Sequence, residues 1–189
     1  MLQNSLTIIP HFENRALPII CGLSIKGVGK ISLPISDHDV FSLKDPTVSY
    51  KTNDDVFTNV YQIEAQDLAI QNPAWAASLQ KLLVPIASKM GIPPSLLSAQ
   101  LDSLYLFEKG SFIDWCSSIE ERPVIGTLLI QLPSEFSGGL IRVYDGEEGE
   151  EEDESKITCF GMGQSTGKSE YTCHFLCHYG DCQYEMQKI

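Results

Sequence analysis

Five side chains able to bind a metal crowd into one short stretch: Cys173, His174, Cys177, His178 and Cys182. Thiolate and imidazole donors at this density are what a tetrahedral zinc site uses. Cys173 and Cys177 are four apart with His178 next, one residue too long for the usual haem-attachment spacing. On an extended strand, residues 173, 177 and 179 share one face while 174 and 178 share the other. The five therefore cannot converge on one ion without a turn, although a partial set completed by Asp114 would still make a zinc site. Structural thiols and a half-buried His pair are the favoured reading. Cys116 is a lone thiol with nothing nearby in sequence to lower its pKa, so nucleophilic chemistry is not expected of it. Gly167-Lys168-Ser169 ends like a phosphate-binding loop, but Met162 stands where that motif wants its first glycine. Gly27-Val28-Gly29 is read as a turn, since no helix or third glycine follows.

The elements that must position these groups are mostly strands. Apolar, β-rich runs at 104–107, 127–132 and 140–144 are punctuated by Gly110, Pro123, Gly126 and Ser137-Gly138-Gly139, with a polar hairpin-like segment between the first two. Further strands are expected at 6–9, 19–25, 30–35, 156–160 and 171–179, and a short helix at 37–42. The clearest helix opens at Asn72-Pro73, a capping residue followed by a proline suited to the first turn. Trp75, Leu79, Leu82, Leu83, Ile86 and Met90 recur at helical spacing on one face, and Gly91 is placed to end it. Pro85 is expected to kink or divide its last turns. We read 73–90 as a buttress packed on the outer face of one sheet, followed by a second short helix at 94–101.

Two blocks carry a resemblance. The order F-E-K-G-x-F from Phe107 to Phe112, then G-T-L-L-I-Q-L-P-S-E-F-x-G-G from Gly126 to Gly139, resembles the prolyl-4-hydroxylase-like branch of the Fe(II)/2-oxoglutarate dioxygenases. So does Cys173-His174 with Tyr179-Gly180-Asp181-Cys182-Gln183-Tyr184-Glu185. The resemblance implies a mainly β, α+β fold: a double-stranded β-helix (jelly roll) with one buttressing helix, truncated at its C-terminal end. It implies one domain over 1–189, with N-terminal strands and loops at 1–72, helices at 73–101, and a jelly-roll core at 102–189 that carries an acidic loop at 145–154. It also implies what is missing. The family holds ferrous iron through His-x-Asp and a distal His, positions that fall on Trp115, Ser117 and Tyr184. Two imidazoles and a carboxylate suit that metal; an indole, a neutral hydroxyl and a protonated phenol do not. Phe107 stands where the family often has a cosubstrate-binding tyrosine, and the closing strand with its Arg or Lys has no counterpart, which would leave a neighbouring strand with an open edge.

The expected function is thus a degenerate, catalytically inactive dioxygenase-like domain, with neither iron nor 2-oxoglutarate as cofactor and a protein or peptide as partner. Two alternatives stay open: an active hydroxylase with relocated ligands, for which Asp114, His174, His178 and Glu185 are the candidates, and a non-functional truncated gene product. The net charge of −12 is mostly local, since Asp145, Glu147, Glu148, Glu150, Glu151, Glu152, Asp153 and Glu154 supply eight of those charges. Such a block is read as a solvated loop, and without clustered Lys and Arg the chain is not expected to bind nucleic acid. No run is long enough to span a bilayer and no signal peptide is evident, so the six cysteines are read as reduced thiols in an intracellular chain, cytoplasmic or nuclear.

Overall fold

The computed structural model describes residues 11–13, 19–52, 54, 56–117, 124–145, 154–164 and 167–189. Within them the chain forms β1 (His11–Glu13), β2 (Leu23–Ile25), β3 (Gly29–Lys30), α1 (Asp37–Leu43), β4 (Tyr50–Thr52), β5 (Phe57–Glu64), β6 (Leu68–Ile70) and α2 (Ala74–Lys89). The second half adds β7 (Ser103–Ser117), β8 (Gly126–Gln131), β9 (Ile141–Tyr144), β10 (Ile157–Phe160), β11 (His174–Tyr179) and β12 (Gln183–Met186). The strands make three antiparallel sheets, none closed, in the orders β1-β11-β8, β10-β9-β12-β7-β5-β4 and β3-β2-β6. The fold is α+β and strand-rich. Among the described residues, no helix is long and apolar enough to cross a membrane.

Burial explains the layering. The three-stranded β1-β11-β8 sheet and the six-stranded sheet share a core of Ile113, Ile141, Val143, Phe160, Met162, Leu176, Cys182 and Met186. The helix α2 covers the other face of the three-stranded sheet, with Leu82, Leu83 and Ile86 against Phe175 and Cys177. Sandwiched this way, β11 is buried on both faces, which is why its sequence, HFLCHY, is continuous rather than alternating. A second core, of Cys21, Leu23, Ile25, Ile31, Leu43 and Ile63, ties the β3-β2-β6 sheet and α1 to the far part of the six-stranded sheet.

The buttress is where the 3.6-residue pattern puts it. Asn72 accepts a hydrogen bond from the Ala74 N–H at 2.9 Å, and Gly91 closes the helix with φ +66°. Pro85 neither divides nor ends it. The proline sits on the exposed side, and burial of Leu82, Leu83, Ile86 and Ala87 around it holds the turns together against the missing N–H. The helix expected at 94–101 is only a 3-10 turn, Pro94–Leu96, because a second proline and the extended Leu97 leave nothing to propagate. The strand expected at 30–35 shrinks to Gly29–Lys30, and the one expected at 171–179 begins at His174. The expected strand at 6–9 and most of the acidic loop lie outside the described residues.

The hairpin-like segment expected after 104–107 is instead one long strand, β7, that slips register twice. Phe107 stands opposite Val60 and Phe112 opposite Thr58, so residues 108–111 bulge out of the ladder. Ser111 holds this bulge: fully buried, its hydroxyl donates to Asn59 O at 2.7 Å and accepts from Glu108 N at 2.8 Å. Gly110 supplies φ +90° and donates to Ile189 O at 2.7 Å, while Ile189 N donates to Ser111 O at 3.0 Å. The F-E-K-G-S-F motif is therefore a bulge that seats the last residues of the chain.

At α1, Ser36 caps the helix by accepting from Asp39 N at 3.1 Å, and its hydroxyl donates to the Asp39 carboxylate at 2.7 Å. The Ser36 and Ser32 donors hold the Asp39 carboxyl below the usual range against the cost of burial. A depressed carboxyl pKa adds stability above its unfolded value and loses it as pH falls through the folded value. Asp39→Asn is expected to lower wild-type stability by about 1 kcal/mol at pH 7. The difference should shrink as acid takes the pH below the ordinary carboxylate range and protonates Asp39 in the folded state, as urea titrations at neutral and acid pH would read.

Candidate functional site

The positions carried over from the iron-binding family lie on β7 and β12. Tyr184 of β12 is opposite Cys116 on one side and Val143 on the other. Cross-strand partners share a face, so Tyr184 points with Val143 into the core between the two sheets. There its ring meets the His178 imidazole of β11, centroids 5.1 Å apart. Burial pushes its phenol well above the ordinary range, and the Cys116 thiol lies beside it, 3.6 Å from Tyr184 O.

Trp115 is on the opposite face. The second register slip in β7 puts Cys116 opposite Tyr184 but Ile113 opposite Met186, so Asp114 and Trp115 together oppose Glu185. Trp115 packs edge-on against Tyr144 at 6.3 Å, and the Arg142 guanidinium stacks over its indole at 5.3 Å. Arg142 also pairs with Glu185 at 2.5 Å. Ser117 stands opposite Gln183 in the ladder. The indole and the phenol thus occupy opposite faces of one sheet. Phe107 packs on the shared core near Tyr105, at 6.3 Å, a purely apolar role.

The relocated ligand set fares no better geometrically. His174 and His178 do share the inward face of β11, with Leu176 between them. Four residues along a strand set their Cα atoms about 13 Å apart, and each ring is held by its own neighbours. The His174 ring is occupied locally: Thr172 Oγ1 is 3.0 Å from its Nε2, and Gly163 lies so close that a Cβ there would fall 2.1 Å from that nitrogen. His178 Nδ1 donates to Tyr179 O at 2.8 Å. Asp114 is exposed at the register slip, and Glu185 is committed to Arg142. Among the described residues, no group of three or more His, Cys, Asp or Glu side chains is placed to hold a metal ion. Neither donor set fits ferrous iron.

The parity reading holds for Cys177, which lies on the α2 side of β11, but not for Tyr179, which packs on the Leu176 side with the shared core. Cys177 points to α2, and Cys173 lies beside Ile19 O at 3.8 Å. Burial pushes the Cys173 and Cys177 thiols up to about 11, and burial with the nearby Asp145 and Asp181 carboxylates pushes Cys182 up to about 12. Raised this far, the thiols stay protonated near neutral pH, whereas the thiolate is the reactive form. Only Cys159 is exposed, and Cys116 is half-buried with its pKa also raised by burial. A disulfide-exchange reagent at pH 8 is expected to titrate one thiol promptly and all six after denaturation, with mass mapping placing the first adduct on Cys159.

Sequence reasoning missed the Arg142–Trp115–Glu185 arrangement and the packing of Tyr184 on His178. The alternation of β9 and β12 was readable, but the slip that turns Trp115 toward Arg142 leaves no mark in the pattern. Gln131, part of the shared motif, pins the turn after β8: its amide N–H group donates to Leu132 O, to Ser134 Oγ at 3.2 Å and to Ser169 O at 3.3 Å. A scan against protein-family models and searches of curated proteins and of solved structures found no match, so the residues themselves carry the functional argument.

Proposed function

We propose that this chain is a degenerate prolyl-hydroxylase-like Fe(II)/2-oxoglutarate dioxygenase domain of the jelly-roll type, without catalysis, that works by binding a protein or peptide. The observation that carries the reading is the divergence of Trp115 and Tyr184, which stand at the family's ligand positions yet face opposite sides of one sheet. Two antiparallel sheets packed face to face, with a helix on the outside of one, are in keeping with the jelly-roll reading. The partner would occupy the inherited groove or add a strand to an open sheet edge. Six free cysteines, five of them at least partly buried, support an intracellular setting, cytoplasmic or nuclear.

The test is anaerobic titration with ferrous iron, followed by an assay for succinate release from 2-oxoglutarate. The protein is expected to take up no stoichiometric iron and to release no succinate above the blank. Tight one-to-one iron with turnover would end this reading and restore the relocated-ligand alternative.

A further inference from the structure

The β8 strand closes one side of its sheet with a single neighbour, β11. The ladder shows which of its backbone groups are left over. Gly180 N donates to Ile125 O at 3.1 Å, so Ile125 and Gly180 form a hydrogen-bonded pair. In an antiparallel ladder such pairs alternate with non-bonded ones. Thr127, Leu129 and Gln131 therefore bond inward to His178, Leu176 and His174. Gly126, Leu128 and Ile130 turn their N–H and C=O groups outward, where no described residue meets them.

The strand itself carries no charge, proline or bulge to blunt this edge. From Val124 to Leu132 the sequence VIGTLLIQL holds no charge and no proline. Lysines, prolines and bulges are what blunt an exposed edge, and a flat apolar one is a template for pairing. Its side chains are also incompletely covered. Leu128 and Ile130 lean on the α2 cluster and Leu129 on the shared core, yet none of the three is fully buried. Val124 and Ile125, just before the strand, are 43% and 46% exposed.

We propose that β8 pairs with β8 of a second copy, antiparallel about a two-fold axis at Leu128, giving the continuous order β1-β11-β8-β8-β11-β1. The outward groups are self-complementary in this register. Leu128 meets Leu128, and Gly126 meets Ile130 of the other copy, so every outward residue faces another outward residue. A strand shifted by one would set outward groups against inward ones and lose the ladder. Ile130 arrives opposite a glycine, where there is no side chain to collide. Uncharged strands bring no like charges together, while the net −12 of each copy opposes approach over longer range. Added salt therefore strengthens this dimer rather than dissolving it. The pairing does not depend on the loss of catalysis, so its test and the iron titration fail separately.

The experiment is light scattering on the intact chain from about 1 to 200 µM, at about 0.05 and 0.5 M NaCl, with amide exchange on the same samples. The mass is expected to rise from 21.0 kDa toward twice that value with concentration, at lower concentration in the higher salt. The amides of Leu128 and Ile130 should exchange at least tenfold more slowly in the dimer, while those of Thr127 and Leu129 stay protected throughout. Leu128→Pro, which removes an outward N–H and spares the inner ladder, is expected to be monomeric; Leu128→Ala keeps the N–H and should still dimerise. A chain that stays monomeric to the highest concentration overturns the proposal. So does a dimer whose Leu128 and Ile130 amides exchange at the monomer rate, a readout that needs no variant to fold.

Discussion

Gly138→Ala is expected to remove about 3 kcal/mol or more of folding stability. Gly138 has φ +83°, a conformation that costs an L-residue roughly 1–2 kcal/mol by itself. The added Cβ would then fall 2.2 Å from Lys188 O and 3.2 Å from Ile189 Cα, both backbone atoms. Those atoms cannot swing aside. Ile189 is bonded through its N–H and C=O to Ser111 and Gly110 in the β7 bulge, and Gly139 N donates to Lys188 O at 3.1 Å. Relief at Gly138 therefore means breaking the ladder that seats the last residues. Gly167→Ala is the control. Its φ is +64°, but nothing lies within 4 Å of the new methyl group, so only the conformational cost of about 1–2 kcal/mol should appear. Urea denaturation of both variants reads the difference as a midpoint shift at unchanged slope. Equal losses would show that the Gly138–Lys188 approach is slack.

The same closing residues show how far sequence reasoning reached. Helix α2 was legible because Leu79, Leu82, Leu83, Ile86 and Met90 repeat at helical spacing and face one sheet, and the strand parity of 173–178 correctly separated Cys177 from His174 and His178. What could not be read were the slips. Residues 108–111 look like a turn in sequence because Gly110 is there, yet Ser111 and the chain end stitch them into a bulge within one strand. The second slip depends on how two residues, Asp114 and Trp115, share one partner, Glu185. Alternation is a local rule, and a bulge inverts it from one residue to the next. β5 escaped altogether for a related reason: its apolar positions are broken up by Thr58, Asn59 and Gln62, with Asn59 at φ +55°.

That inversion yields the second large effect. Placing the dioxygenase ligand types at all three positions, in Trp115→His with Ser117→Asp and Tyr184→His, is expected to give neither stoichiometric iron nor succinate release. The residues would be correct and the faces wrong: the new imidazole at 115 would sit with Arg142 and Tyr144, and the one at 184 would stand in the core with Val143. The stability changes should separate the two sites. Trp115→His alone forfeits the Arg142 stacking on a partly exposed face, about 0.5–1 kcal/mol. Tyr184→His removes aromatic volume from the shared core and brings a second polar ring against His178, a loss of about 2–4 kcal/mol. Thermal melts of the single variants, with iron titration and succinate assay of the triple, check both halves. Tight iron in the triple variant would mean that positions 115 and 184 meet on one side of the sheet, and the register of β12 on β7 would have to be redrawn.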